Sequence, residues 1–476
     1  MSRQLRLWCL QIPFPKVPPV IVAGKAISES NTAKELLVHL KEIIRGLLAK
    51  GIRIVSYAAD GTEVERCLQR LLTSEADNKR TYTINHPGQT SGHGTFSFTI
   101  PIFGGQPIAM VQDSKHALKT GRNQLLSGAH LGILGNYPLF YTQVRNLATS
   151  KTGPLYNRDV EKLDRQDDNA ATRLFCAETL KWLTEHHDDQ RGLIVYLFVI
   201  GEAVDAYQNR NISHGERIQM LLRAMFFMEG WEGFVLKAGY QSSKHFISRE
   251  YRDILQILVS GFFQLVIIHR DFLDDVYAFL PWFHSTEVCE HLFGMMRSIL
   301  KDFTMLDFVY MIPKLFIRVR EHVLNMASPT GKARASGYNH THADCDGIDL
   351  SLLSIFPSDD EINQLTIQAF EEAQNLLAIT GIIPTSSTGS KSVLPGISNW
   401  FSGSDHHNTP DDKTDKFGGI HEADDSERTS DREELEDDIS NIFHHAERKS
   451  LFNSSAEIEG LGYAAIISSV GDSMHM

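Results

Sequence analysis

The stretch Gln112–Asn123, which reads Q-D-S-K-H-A-L-K-T-G-R-N, decides how the rest of this chain is interpreted. It follows two apolar runs with the composition of β-strands, Thr95–Phe103 and Pro107–Val111. His116, Lys119 and Asn123 are spaced i, i+3 and i+7, so on a helix they share one side. A polar helix face that begins where a strand ends is a common location for a site in an α/β sheet. The same spacing also suits the solvated first turn of a surface helix, and spacing alone does not separate the two interpretations.

The residues before this stretch have an α/β pattern. Met1–Ile27 reads as extended chain, and apolar periodicity predicts helices and a buried strand, in the order Asn31–Lys50, Ile52–Ala59 and Glu63–Leu72. Asp60 and Gly61 follow that strand directly. An aspartate at the carboxyl edge of such a strand is where ligands and metals are held. It is also a natural N-cap for the next helix, and this stretch on its own favours the cap.

From Leu131 to Phe279 glycine becomes rarer, and apolar residues recur with the spacing of long amphipathic helices. This spacing predicts an all-helical block with helices at Ala170–Glu185, Leu193–Gln208, Ser213–Met228 and Tyr251–Val266. Asp164, Asp167 and Asp168 lie just before the first of these helices. We interpret them as a capping cluster rather than a metal site.

A second polar stretch, Leu280–Arg297, reads L-P-W-F-H-S-T-E-V-C-E-H-L-F-G-M-M-R. Ser285 and Thr286 are predicted to cap a helix, with Glu287 as the carboxylate of its first turn. Glu290 lies one turn further on, near the face that carries Phe293 and Arg297. If buried beside apolar residues, this carboxylate must be paired, protonated or metal-bound. The alternative is an exposed glutamate on a surface helix.

The rest of the chain reads as two helices, a loop and an acidic segment. The helices are predicted at Asp302–Asn325 and Ser358–Leu377. The loop Tyr338–Asp346 has histidine, aspartate and cysteine without the spacing of a zinc site. Residues 385–438 have the composition of a disordered acidic linker, and the last residues, 439–476, are expected to form a short segment whose closing helix docks on the body.

Composition limits the classes of function. Between Asp405 and Asp438 there are 14 acidic and 4 basic residues, which leaves a net charge of only −3 for the remainder of the −13 chain. The body can therefore still present a basic groove. The five cysteines occur singly, which suits a reducing compartment, and the prolines near the N-terminus argue against a signal peptide. No run of 18 apolar residues is present, so no membrane helix is expected.

Taken together, Asp60-Gly61, the D-x-x-H-x-x-K-x-x-R-N motif and the later E-H-L-F-G-M-M-R resemble the catalytic region of eukaryotic cut-and-paste transposases of the P-element and THAP-domain type, and more distantly the hAT group. The resemblance covers about Ile52 to Arg297. It implies a partial RNase H-like α/β unit over residues 1–130, a helical insertion over 131–279 and a helical part completing the core over 280–384.

The resemblance also implies a site. Asp60 and Glu290 would be catalytic carboxylates that hold Mg²⁺ or Mn²⁺. The residues expected near DNA phosphates are His116, Lys119, Arg122, Asn123 and Arg297. DNA is the expected partner, a homo-oligomer is compatible with the pattern, and the expected location is nuclear or nucleocytoplasmic rather than secreted.

One departure from the family changes the expected activity. The family has a further catalytic aspartate on its first strand, whereas Asp60 is the first aspartate in this chain. We therefore expect an N-terminally truncated or domesticated transposase derivative that does not cut DNA alone. The alternative is a non-catalytic helical interaction protein, in which Asp60 and Glu290 are caps or surface charges. A nucleotide hydrolase is disfavoured, because neither Gly24-Lys25 nor Gly331-Lys332 has the preceding glycine of a phosphate loop.

Overall fold

A computed structural model describes residues 4–14, 16–28, 31–88, 94–161, 164–273, 277–325, 347–383 and 464–471. These residues form a mixed α/β fold of ten strands and thirteen α-helices. The strands are β1 (Gln4–Gln11), β2 (Val20–Ile27), β3 (Ile54–Ala59), β4 (Asn78–Asn85), β5 (Thr95–Phe103), β6 (Gln106–Pro107), β7 (Ala109–Gln112), β8 (Gly132–Leu134), β9 (Tyr137–Leu139) and β10 (Ala464–Gly471).

The first six helices belong to the sheet region and the start of the helical block. They are α1 (Ala33–Ala49), α2 (Glu63–Ser74), α3 (Ser114–Ser127), α4 (Tyr141–Thr149), α5 (Asp168–Phe175) and α6 (Ala177–His186). The other seven are α7 (Arg191–Gln208), α8 (His214–Lys237), α9 (Ser242–His245), α10 (Arg249–Asp271), α11 (Glu287–Ile299), α12 (Met305–Asn325) and α13 (Asp359–Ile379).

The main sheet has five strands in the order β2-β1-β10-β3-β7. β1 runs antiparallel to both β2 and β10, whereas β10, β3 and β7 run parallel to one another. The strand in the middle of the sheet therefore comes from the far end of the sequence. The sequence analysis expected a closing helix in this segment, and that prediction is wrong.

The two faces of this sheet are covered by different helices. On one face, leucines and isoleucines of α1 and α2 pack against Ile54, Tyr57 and Ile466. On the other face lie α3, α10 and α11, and the helical block continues the core beyond them. Since both faces are covered, the parallel strands can be almost wholly apolar, as β3 is.

The helix α10 packs directly on β7. Gly261 makes this approach close, because a Cβ placed there would lie 2.5 Å from the Met110 carbonyl oxygen. Gln264 Oε1 accepts a hydrogen bond from the Met110 amide at 2.8 Å. α10 is long and apolar enough to cross a membrane, but 72% of the 18-residue apolar stretch that meets this criterion is buried inside the protein. Its apolar character is thus accounted for by the core.

Most local predictions are confirmed and two need correction. The predicted helix Ala170–Glu185 is divided at Cys176 into α5 and α6. The predicted all-helical block also contains the hairpin β8–β9, which turns at Gly135 with a φ of +60°. The predicted capping cluster is confirmed for Asp167, which accepts the Ala170 amide at 2.9 Å, whereas Asp168 pairs with Lys119. The loop at 338–346 and the linker at 385–438 lie outside the described residues.

Candidate functional site

The carboxyl ends of β3 and β7 bring two aspartates side by side. Asp60 follows β3 and Asp113 follows β7, and the Asp113 amide donates to the Ala59 carbonyl oxygen at 3.1 Å. Asp60 is half-buried, and its Oδ1 accepts the Thr62 amide at 3.2 Å. The cap of α2 is the Thr62 side chain, so the prediction that Asp60 caps this helix is wrong.

Asp113 is the residue that the sequence analysis left out of the site. Its signal was the same as for Asp60, an aspartate directly after a buried parallel strand. Asp113 Oδ1 accepts the amides of Lys115 and His116 at 2.8 and 3.0 Å and so caps α3. Its Oδ2 accepts the Thr286 amide at 2.7 Å and the Thr286 hydroxyl at 2.5 Å. One carboxylate thereby joins the starts of α3 and α11.

The first turn of α11 is therefore held by Asp113 rather than by its own cap. Thr286 occupies the predicted cap position, but its side chain makes no capping hydrogen bond within the helix. Glu287 is in the first turn of α11, as predicted, and its Oε1 lies 2.8 Å from Lys115 Nζ. Burial lowers the pKa of Lys115, but the attraction of Glu287 more than offsets this, and the net pKa is raised. The ion pair is a second link between α3 and α11.

Glu290 lies one turn along α11 and is exposed. It forms an acidic cluster with Asp113, Asp168 and Glu287, whose charges act on it. Although Glu290 is exposed as a residue, its carboxyl group is largely surrounded by protein; this desolvation and the neighbouring charge of Asp113 raise its pKa to about 7, while Lys119 acts in the opposite direction. Asp168 and Glu287 add to the negative charge around it. Glu290 is thus exposed, as the simpler interpretation expected, but the local charge is unlike that of an ordinary surface helix.

The polar face of α3 points into this cluster. Lys119 is only 7% exposed, and its Nζ lies 3.0 Å from Asp168 Oδ1. His116 packs over Gly61, where a Cβ would lie 2.5 Å from the imidazole Cδ2. Burial lowers the pKa of His116, although the Asp60 charge opposes the shift. The interpretation of α3 as an ordinary solvated surface helix is wrong.

The two last residues of the motif hold a loop. Arg122 is 1% exposed, and its guanidinium donates to the carbonyl oxygens of Asp164 and Asp167. Asn123 Nδ2 donates to the Arg165 carbonyl oxygen at 3.3 Å. These contacts position the Asp164–Asp168 loop, and with it the carboxylate that pairs with Lys119. A phosphate contact from the buried Arg122 would require these bonds to open. Arg297 is exposed on α11.

The structure therefore brings Asp60, Glu290, His116 and Lys119 to one edge of the sheet. Both predicted carboxylates interact electrostatically with the first two turns of α3, Asp60 with His116 and Glu290 with Lys119. Among the described residues no group of three or more acidic, histidine or cysteine side chains is arranged to hold a metal ion. Asp113 could not serve as a ligand without giving up bonds, because both of its oxygens already accept two donors.

Comparison of the chain with models of protein families, with curated proteins and with solved structures gave no match.

Proposed function

We propose that this chain is a transposase-derived protein whose RNase H-like core binds DNA and does not cut it alone. The observation that carries the proposal is the sheet. Two antiparallel strands continue into three parallel ones, and Asp60 and Asp113 lie at adjacent carboxyl ends of the parallel set. This is the arrangement expected of an RNase H-like core, and ligands of parallel sheets bind at that end.

The position of α11 supports the same proposal. Although 227 to 230 positions separate Asp60 from the first turn of α11 in sequence, Asp113 anchors the start of that helix at the end of β7, one strand away from Asp60. Glu290 thereby joins the edge that the resemblance requires. A divalent metal bound there would polarise a phosphodiester and activate a water molecule. Asp60 and Glu290 are the side chains that would hold it.

The proposed absence of DNA cleavage follows from the small number of carboxylates available to bind a metal. A catalytic metal centre needs carboxylates that are free to coordinate, whereas Asp113 is committed to α3 and α11. Lys119 further neutralises the cluster through Asp168. Among the described residues of this sheet edge, Asp60 and Glu290 are the carboxylates that remain for a metal, and two are fewer than the chemistry requires.

The test uses the full chain with fluorescently labelled duplex DNA and, in parallel, supercoiled plasmid with Mn²⁺. We expect DNA binding that weakens steeply as salt rises, and no nicking. Arg297→Glu should weaken binding several-fold. Lys181→Glu on α6 makes the same charge change at a side chain that is 75% exposed and is not among the site residues, and should have little effect. Failure to bind DNA at low salt would refute the proposal.

The nicking assay tests the second half of the proposal separately. Robust Mn²⁺-dependent nicking that Asp60→Ala abolishes would show that the site is complete. Nicking that survives both Asp60→Ala and Glu290→Gln would point to a contaminating nuclease. In that case we expect the nicking to disappear when the protein is purified further.

The alternative function, a non-catalytic interaction protein, is favoured by one observation. The two lysines of the α3 face are both paired internally, Lys115 with Glu287 and Lys119 with Asp168. Lysines committed in this way are less available to phosphates. A chain that is folded, binds no DNA at any salt concentration and associates with itself or another protein would fit this alternative.

A further inference from the structure

The central strand β10 has a register that places its end beside Asp60. Ser468 pairs with Ala59 of the parallel strand β3, so the next residue, Ser469, lies across from Asp60. Adjacent strands are about 4.8 Å apart, so these two backbone positions are near neighbours. On its other side Ser469 pairs with Leu7 of β1. The carboxyl end of β10 thus forms part of the same sheet edge as Asp60 and Asp113.

The side chain of Ser469 lies on the site face of the sheet. Directly paired residues on antiparallel strands point to the same face, and Leu7 belongs to the core cluster under α11. Two residues earlier on the same face, the Ile467 carbonyl oxygen is 3.8 Å from Cys289 Sγ, the residue before Glu290. Ser468 belongs to the opposite face, where it interacts with Tyr57 of the other core cluster.

We infer that Ser469 stands where this site lacks its third carboxylate, so that Asp60, Glu290 and Ser469 form a divalent-metal site that is incomplete by one side chain. The inference rests on the proposed function for the identity of the metal. It differs from that proposal because it assigns the missing ligand to one residue, on a strand that follows all the other site elements in sequence.

The chemistry of the three side chains explains why a serine at this position weakens metal binding. Mg²⁺ and Mn²⁺ are hard cations that bind carboxylate oxygens, and affinity rises with the number of ligand charges. A neutral hydroxyl supplies neither the charge nor a second oxygen. Ser469 is 6% exposed and lies on the site face at the strand end beside Asp60, so a side chain placed there is buried rather than in bulk solvent. Exchanging this one group should therefore create metal binding.

The main test is Ser469→Asp, with Ser469→Asn as the control of equal size and no charge. Mn²⁺ binding is measured by isothermal titration calorimetry and by the rise in melting temperature with Mn²⁺. We expect Ser469→Asp to bind Mn²⁺ at least about tenfold more tightly than Ser469→Asn or the unchanged chain. The gain should disappear when Asp60→Asn or Glu290→Gln is added. Equal binding by the aspartate and asparagine variants would overturn the inference.

A second variant guards against failure of Ser469→Asp to fold among several carboxylates. Ser469→Cys is nearly isosteric and offers a thiolate, which binds Cd²⁺ strongly. Ser468→Cys makes the same change on the opposite face and is the matched control. We expect Cd²⁺ to raise the melting temperature of the Ser469 variant only, in a manner that depends on Asp60. An equal rise in both variants, or in neither, would contradict the assignment of Ser469.

The outcome can be separated from that of the proposed function. Metal binding by Ser469→Asp without any DNA binding would support the ligand assignment and refute the DNA-binding proposal. DNA binding by the unchanged chain, together with no metal binding by either Ser469 variant, would do the reverse.

Discussion

Asp113→Asn should destabilise this protein far more than an ordinary cap substitution, because a single carboxylate holds the starts of two helices. The carboxylate is 2% exposed and accepts four hydrogen bonds. In the asparagine variant one oxygen becomes an NH₂ group. Facing α3, that donor meets the backbone amides of Lys115 and His116; facing Thr286, it meets one backbone amide and a hydroxyl that can rotate to accept from it.

The magnitude follows from counting the lost bonds. Each hydrogen bond to a charged group contributes about 1.5–3 kcal/mol, and a buried donor left without an acceptor costs about 1–3 kcal/mol. At least one backbone amide loses its acceptor and the donors on the retained oxygen lose a charged one, so we expect the free energy of unfolding to fall by about 2–5 kcal/mol. The fall should come as a lower urea midpoint with an unchanged slope.

Asp167→Asn is the matched control. Asp167 caps α5 by accepting the Ala170 amide; its charge also attracts Arg122 of α3, but among the described contacts its carboxylate accepts no hydrogen bond from a second helix. Asparagine and aspartate are about equally good N-caps, so this substitution should cost less than about 0.5 kcal/mol. Both variants are measured by urea unfolding followed by tryptophan fluorescence. Losses within 1 kcal/mol of each other would refute the two-helix role of Asp113.

A double-mutant cycle with Thr286→Val isolates the link to α11. Valine keeps the shape of threonine and removes only the hydroxyl that donates to Asp113 Oδ2. The two substitutions share this contact, so we expect their effects to fall short of additivity by about 1–3 kcal/mol. Full additivity would show that the hydroxyl contact does not contribute to stability.

Three further predictions follow from the site and the sheet. The folded state raises the pKa of Glu290 from an ordinary 4.5 to about 7, so the native protein binds this proton more tightly than the unfolded chain. The contribution of this carboxyl to stability is therefore lost as pH rises from 4.5 to 7. Glu290→Gln should flatten that part of the plot of urea midpoint against pH, and an unchanged plot would contradict the charge crowding. Gly61→Ala places a Cβ 2.5 Å from His116 Cδ2 and should destabilise by about 1–3 kcal/mol, whereas Gly46→Ala in α1 meets nothing within 4 Å and should be neutral or stabilising. Ile467→Ala should cost about 2–5 kcal/mol because this side chain of β10 is 0% exposed, and Ile383→Ala, at a residue 82% exposed, should cost almost nothing; equal midpoints would contradict the central position of β10.

Local patterns predicted the elements around the site well. The helix after Thr32 was expected from its apolar stripe, and the structure shows a full capping box between Thr32 and Glu35. The strand before Asp60 was expected from its apolar run and is buried along its whole length. These features are decided by residues only a few positions apart, so the sequence alone contains the information needed to predict them.

Contacts between distant residues were not predictable in the same way. Asp113 and Thr286 are 173 positions apart, and no local pattern shows that an aspartate which caps one helix also anchors a second. Arg122 was expected at a phosphate because arginine favours phosphates, yet its donors serve two backbone carbonyls of a distant loop. In both cases the side chain's role depends on which elements become neighbours, which periodicity does not report.

The central strand shows the same limit most strongly. A short apolar run such as A-A-I-I-S-S-V-G fits a buried strand and a helical segment equally well, and only its tertiary neighbours decide between them. Here the neighbours are β1 and β3, whose backbone groups would form two open sheet edges without it. Leu5 pairs with Gly471, so almost the whole described chain lies between the two partners. Closing so long a loop costs only logarithmically more entropy than closing a short one, whereas both flanking strands gain a full set of hydrogen bonds, and this imbalance favours the distant segment in the centre of the sheet.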